Sequence, residues 1–70
     1  MSVREDVEDL VHRRSGLTEV EIAEEILGPG ARQQRVNPSC RGLSEEGRIE
    51  RRGQGGRGDP FRYYPIREEL

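Results

Sequence analysis

The sequence predicts a small α+β domain of three helices followed by an antiparallel hairpin, and three observations lead there. Apolar residues recur at helical spacing up to Gly47 and at alternating spacing after it. Capping-box pairs, Ser2 with Glu5 and Thr18 with Glu21, stand before the first two helical stretches. A glycine-rich run, Gly53-Gln54-Gly55-Gly56-Arg57-Gly58-Asp59-Pro60, separates two short alternating segments, as a hairpin tip does.

Each element has its own warrant. Val3, Val7, Leu10 and Val11 form one stripe of a first helix that Ser15-Gly16 stops near Arg14. Leu17 precedes the Thr18 cap and can staple to Ile22, and Ile22, Ala23, Ile26 and Leu27 form the stripe of a second helix. Gly28 supplies a left-handed stop and Pro29-Gly30 prevents continuation. Val36, Cys40, Leu43 and Gly47 share one face of a third helix. Pro38 has no amide hydrogen, so the inexpensive arrangement makes Asn37 the N-cap and Pro38 the first helical residue, with 31–36 an irregular or short helical turn. Gly42 weakens that helix by ~1 kcal/mol relative to Ala, so packing must hold it. Arg48-Ile49-Glu50-Arg51-Arg52 and Phe61-Arg62-Tyr63-Tyr64 read as paired strands, with room for a short third strand at Gly16-Leu17. Phe61 and Tyr63 share one strand face, Tyr64 and Ile66 the other, and alternation alone does not say which pair is core. A single domain over 1–67 with a frayed tail at 68–70 is expected.

Composition narrows the function. Seventy residues, 30% hydrophobic with three aromatics and 37% charged, can build a thin core but not the apolar walls of a deep ligand pocket. No apolar run approaches the ~18 residues of a membrane span, and Met1-Ser2-Val3-Arg4-Glu5 is no signal peptide. The single cysteine excludes an internal disulfide, so a cytoplasmic location is expected.

The net charge of −2 conceals a division along the chain. Residues 1–28 carry eight acids against Arg4, Arg13 and Arg14. Residues 29–67 carry nine arginines against Glu45, Glu46, Glu50 and Asp59. A polyanion feels the local field within ~8–10 Å, so the cationic half can act independently of the net charge. All twelve cations are arginine, whose planar fork suits phosphate and the guanine edge; a coding bias towards arginine explains the same choice.

Helix, short Leu-Thr segment, helix, turn, helix and Gly-rich hairpin together resemble a three-helix winged helix-turn-helix with a two- or three-stranded antiparallel wing. The likeness is carried by Val36, Cys40, Leu43, Gly47 and Ile49. Gly47-Arg48-Ile49-Glu50-Arg51 is similar to the superfamily's common Gly-Leu-Ile-Glu-Arg segment, and Leu17-Thr18-Glu19-Val20-Glu21-Ile22-Ala23 resembles its second-helix entrance. Pro38, Gly42 and a longer entry to the third helix depart from the pattern. The resemblance implies sequence-specific or semi-specific binding of double-stranded DNA by a small transcriptional regulator, without cofactor or metal. It makes the third helix and its entry the recognition element, with Gln33, Gln34, Arg35, Asn37, Ser39 and Arg41 as candidate contacts. Arg41 can fork onto guanine, and Asn37 or a Gln can read adenine. The plainer alternative leaves Asn37 a cap and the glutamines solvated.

In the hairpin, Arg51, Arg52, Gln54, Arg57 and Arg62 are the candidate phosphate contacts. Their plainer role is to keep an exposed edge from aggregating. A homodimer is expected from the small DNA surface one module covers, or a larger protein partner in its place. Protein contact without DNA, through the acidic helices or the Tyr-bearing strand, is the alternative from the same fold. RNA binding through the Gly-Arg loop is a third.

Other motifs lead nowhere. Gly53, Gly55 and Gly58 match Gly-x-Gly-x-x-Gly, but a dinucleotide site needs a following helix, and here Asp59-Pro60 and a strand follow. Arg57-Gly58-Asp59 is a coincidental adhesion tripeptide. His12 and Cys40 offer one zinc ligand each where about four are needed. The same two residues would have to supply base and nucleophile for catalysis, and Cys40 is better explained as core, so no enzyme activity is expected.

Overall fold

The computed structural model describes residues 2–66; Arg67 and the tail expected at 68–70 lie outside the described residues. The chain order is α1 (Val3–Arg13), β1 (Leu17–Thr18), α2 (Glu19–Leu27), a 3₁₀ turn (Gln33–Arg35), α3 (Asn37–Glu45), β2 (Ile49–Arg52) and β3 (Arg62–Pro65). The strands form an antiparallel sheet in the order β1-β3-β2, so the last strand is central. Leu17 lies opposite Tyr63 on one side of it, and Arg51 lies opposite Tyr63 on the other. This is a small α+β domain with three helices and a three-stranded sheet, whose third strand sits one residue later than the segment expected from sequence.

Local chemistry sets most boundaries. Ser2 Oγ accepts the Glu5 amide at 3.2 Å to open α1. At α2 the capping box is complete: Thr18 Oγ1 accepts the Glu21 amide at 3.2 Å, and Glu21 Oε1 accepts the Thr18 amide at 2.8 Å. That pairing holds the Glu21 carboxyl below its ordinary pKa, first through the Thr18 backbone bond. Gly28 ends α2 at φ 109, ψ 171, a positive-φ but extended stop instead of the expected left-handed one. α3 ends in a Schellman turn: Arg48 donates to the Leu43 carbonyl at 2.9 Å and Gly47 to Ser44 at 3.1 Å, with Gly47 at φ 74.

One core joins these elements. Val7, Leu10, Val11, Leu17, Ile22, Ala23, Val36, Cys40, Leu43, Ile49 and Tyr63 are buried together, with Val3, Ile26, Ala31 and Phe61 packed at its edge. Phe61 and Tyr63 are therefore the inward strand pair. Leu27 departs from the expected stripe: it is 37% exposed, because it stands at the edge of the stripe, beyond Ala23, in the last turn of α2. Ion pairs brace the outside. Arg4 pairs with Glu46, Glu8 with Arg48 at 2.9 Å, and Arg14 with Glu25 at 2.8 Å, tying α1 to the end of α3 and to α2. No helix among the described residues is long and apolar enough to cross a membrane.

Candidate nucleic-acid interface

The entry to α3 differs from the sequence expectation in one instructive respect. Val36, not Asn37, occupies the cap position, with helical dihedrals (φ −112, ψ −13) and no side-chain cap bond. The chain turns helically from Gln33 onward, and the Val36 carbonyl already accepts from the Cys40 amide at 2.9 Å. The Asn37 side chain is released from capping and turns inward. With its amide nitrogen facing the two nearby oxygens, it donates to the Gln33 carbonyl at 2.9 Å and to Glu19 Oε2 at 3.1 Å. Tyr63 Oη donates to the same Glu19 oxygen at 2.9 Å. Glu19 thus joins the start of α2, the start of α3 and the central strand. The Tyr63 hydroxyl pKa is raised, by burial first and then by the Glu19 hydrogen bond, while the nearby Arg51 guanidinium acts in the opposite direction.

Around this junction the candidate residues take distinct places. Gln33, Gln34 and Arg35 form the exposed 3₁₀ turn, Ser39 is half-buried, and Arg41 projects from α3. Pro38, Arg41 and Glu45 share the exposed helical face, so that face carries one cation and one acid. Arg51 lies on the core-facing side of the hairpin with its guanidinium 4.2 Å from the Phe61 ring centre. Arg52, on the opposite side, is 4.2 Å from the Tyr64 ring centre and donates to Glu50 Oε1 at 2.9 Å, which raises its pKa. Arg62 donates to the Gly16 carbonyl at 2.8 Å and stands 3.8 Å from Glu21. Arg52 and Arg62 thus serve the protein's own structure.

The hairpin tip is ordered by its own bonds. Gly55 donates to the Asp59 carbonyl at 3.0 Å, Asp59 to the Gly56 carbonyl at 3.2 Å, and the Gln54 amide to Asp59 Oδ2 at 3.1 Å. Gly55 has φ +85, and a Cβ there would fall 2.5 Å from the Phe61 ring. The Gly-x-Gly-x-x-Gly spacing therefore contains a packing requirement that sequence reading missed. Arg57 stands exposed at the end of this braced arm.

Folding divides the arginines into paired and unpaired groups. Arg4, Arg13 and Arg14 all pair with carboxylates, as do Arg48, Arg52 and Arg62. Among the described residues Arg32, Arg35, Arg41, Arg51 and Arg57 form no ion pair with a carboxylate, and all five are exposed, at the α3 entry, on α3 and on the hairpin. The described residues hold no group of three or more His, Cys, Asp and Glu side chains suited to a metal ion. Cys40 is fully buried and its thiol is pushed up to about 12 by burial, while His12 is at the surface with Nε2 3.3 Å from the Arg48 carbonyl. Comparison with protein-family models, curated proteins and solved structures finds no match to this chain.

Proposed function

We propose that this α+β domain is a winged helix that binds double-stranded DNA, α3 and its entry lying against one groove and the hairpin arm against phosphates. The element order and the β1-β3-β2 sheet support the winged-helix assignment, and a role as a small transcriptional regulator follows from it. The observation that carries the DNA reading is the charge division after folding: every arginine of residues 1–28 is paired, while Arg32, Arg35, Arg41, Arg51 and Arg57 lack carboxylate partners among the described residues. Unpaired guanidiniums are the groups that release counterions from a duplex. Asn37 acts as a strut to Glu19 in this reading, leaving Arg41, Gln34 and Arg35 as the base-edge candidates.

Titration of random duplex DNA at about 50 and about 200 mM salt tests it. Five contacts give a log–log slope of about −4 to −5, a loss of about 10²–10³-fold between the two conditions. Absence of binding at the lower salt overturns the proposal. The alternative of protein contact draws no support from the Tyr-bearing strand, where Tyr63 is buried and Tyr64 is covered by Arg52.

A further inference from the structure

The outer flank of α2 carries a pattern that neither the core nor the DNA reading uses. Among the described residues three large hydrophobics are exposed, and two of them, Val20 at 45% and Leu27 at 37%, stand on this helix. They are seven residues apart, about two turns or ~10 Å, and Glu24 falls between them on the same face. Glu24 is exposed and has no ion-pair partner among the described residues. Past the helix end, Leu27 continues into an open groove formed with Pro29, Arg32 and Arg35. Both guanidiniums there are also without a carboxylate partner among the described residues.

From Glu24 onward the strip therefore has an acid on one side of Leu27, one helical turn back, and two cations on its other side, in the groove past the helix end. An order of this kind is complementary to itself when turned through a two-fold axis. With the axis at Leu27, each Leu27 packs on its counterpart and each Glu24 faces the other copy's Arg32 and Arg35. A two-fold contact requires this self-complementarity of one patch. We infer that this strip is a homodimer contact, a second copy of this chain being its occupant. The charge order favours that partner over a foreign one, because both halves of each ion pair are supplied by one sequence. The contact is small, so the pairing is weak and salt-sensitive. It does not depend on DNA binding; Arg32 and Arg35 are shared with the DNA reading, so the protein contact and the duplex compete for these two guanidiniums.

Sedimentation equilibrium of the chain without DNA, up to about 1 mM protein, tests the inference. The expected result is a monomer–dimer equilibrium that Leu27→Glu, Glu24→Arg, and the Arg32→Glu/Arg35→Glu double variant each weaken ~10-fold or more. Combining Glu24→Arg with the double variant restores dimerisation, which a disturbance of folding would not do. The side chains are exposed, and circular dichroism checks that every variant keeps its fold. A monomer throughout the range, a dimer indifferent to Leu27→Glu and Glu24→Arg, or failure of the combined variant to restore pairing overturns the inference. The DNA titration is run at nanomolar protein, where the chain is monomeric, so the two proposals fail separately.

Discussion

Cys40 and Tyr63 show how burial comes first in setting chemical behaviour at single positions. Burial pushes the Cys40 thiol from 9.0 up to about 12, and burial with the Glu19 hydrogen bond also raises Tyr63. In both cases the folded chain holds its proton more tightly than the unfolded chain. Their contribution to stability is whole below the unfolded pKa values and is lost as pH rises through the folded ones. Stability should therefore fall from about pH 9 upward, each group adding a slope of up to about 1.4 kcal/mol per pH unit while it titrates only in the unfolded state. Urea unfolding midpoints at about pH 8 and about pH 11 measure this, and equal midpoints would contradict it. A thiol reagent at about pH 8 should label Cys40 only as fast as the protein opens.

At the scale of elements, the hairpin tip makes the sharpest demand. Gly55→Ala must adopt a positive φ and place a methyl against Phe61, so it should cost about 1–3 kcal/mol, whereas Gly58→Ala has open space and should be nearly neutral. Thermal melts of the two variants decide; equal melting temperatures would mean the tip is not braced as described. The elements also show what could be read in advance. α2 was legible because Thr18, Glu21 and Gly28 act on neighbours within a turn. The true cap of α3 was not, because Asn37 bonds Glu19, eighteen residues away, and no local pattern announces that partner. Likewise Phe61 and Tyr63 alternate with Arg62 and Tyr64 equally well in either orientation, and only packing on the helices chose the inward pair. Bracing by Asp59 was hidden behind a composition that allows both order and disorder.

For the whole molecule, the consequence of folding is that sequence charge and available charge differ. Nine arginines stand in residues 29–67, but Arg48, Arg52 and Arg62 are held by Glu8, Glu50, Glu21 and the Gly16 carbonyl. The candidate list from sequence treated Arg52 and Arg57 alike; the structure separates them. Arg57→Ala should reduce the magnitude of the salt slope on duplex DNA by about 0.9, while Arg52→Ala changes it much less. Identical slopes for both variants would show that the Glu50 pair opens on binding. The clustering of arginines in residues 29–67 was legible in the sequence, but which of them stay unpaired was not, since Arg48 and Arg62 meet acids about forty residues away and Arg52 meets Glu50 only through the strand backbone's geometry; Arg32, unpaired in the structure, was not among the candidates.

Glu19 has a mechanical consequence. Because one carboxylate oxygen receives both Asn37 and Tyr63, a tilt of the beginning of α3 against the middle of the sheet has to stretch one of these two bonds. The strand and the helix are therefore coupled through a single acid, and the entropy of aligning them is met during folding.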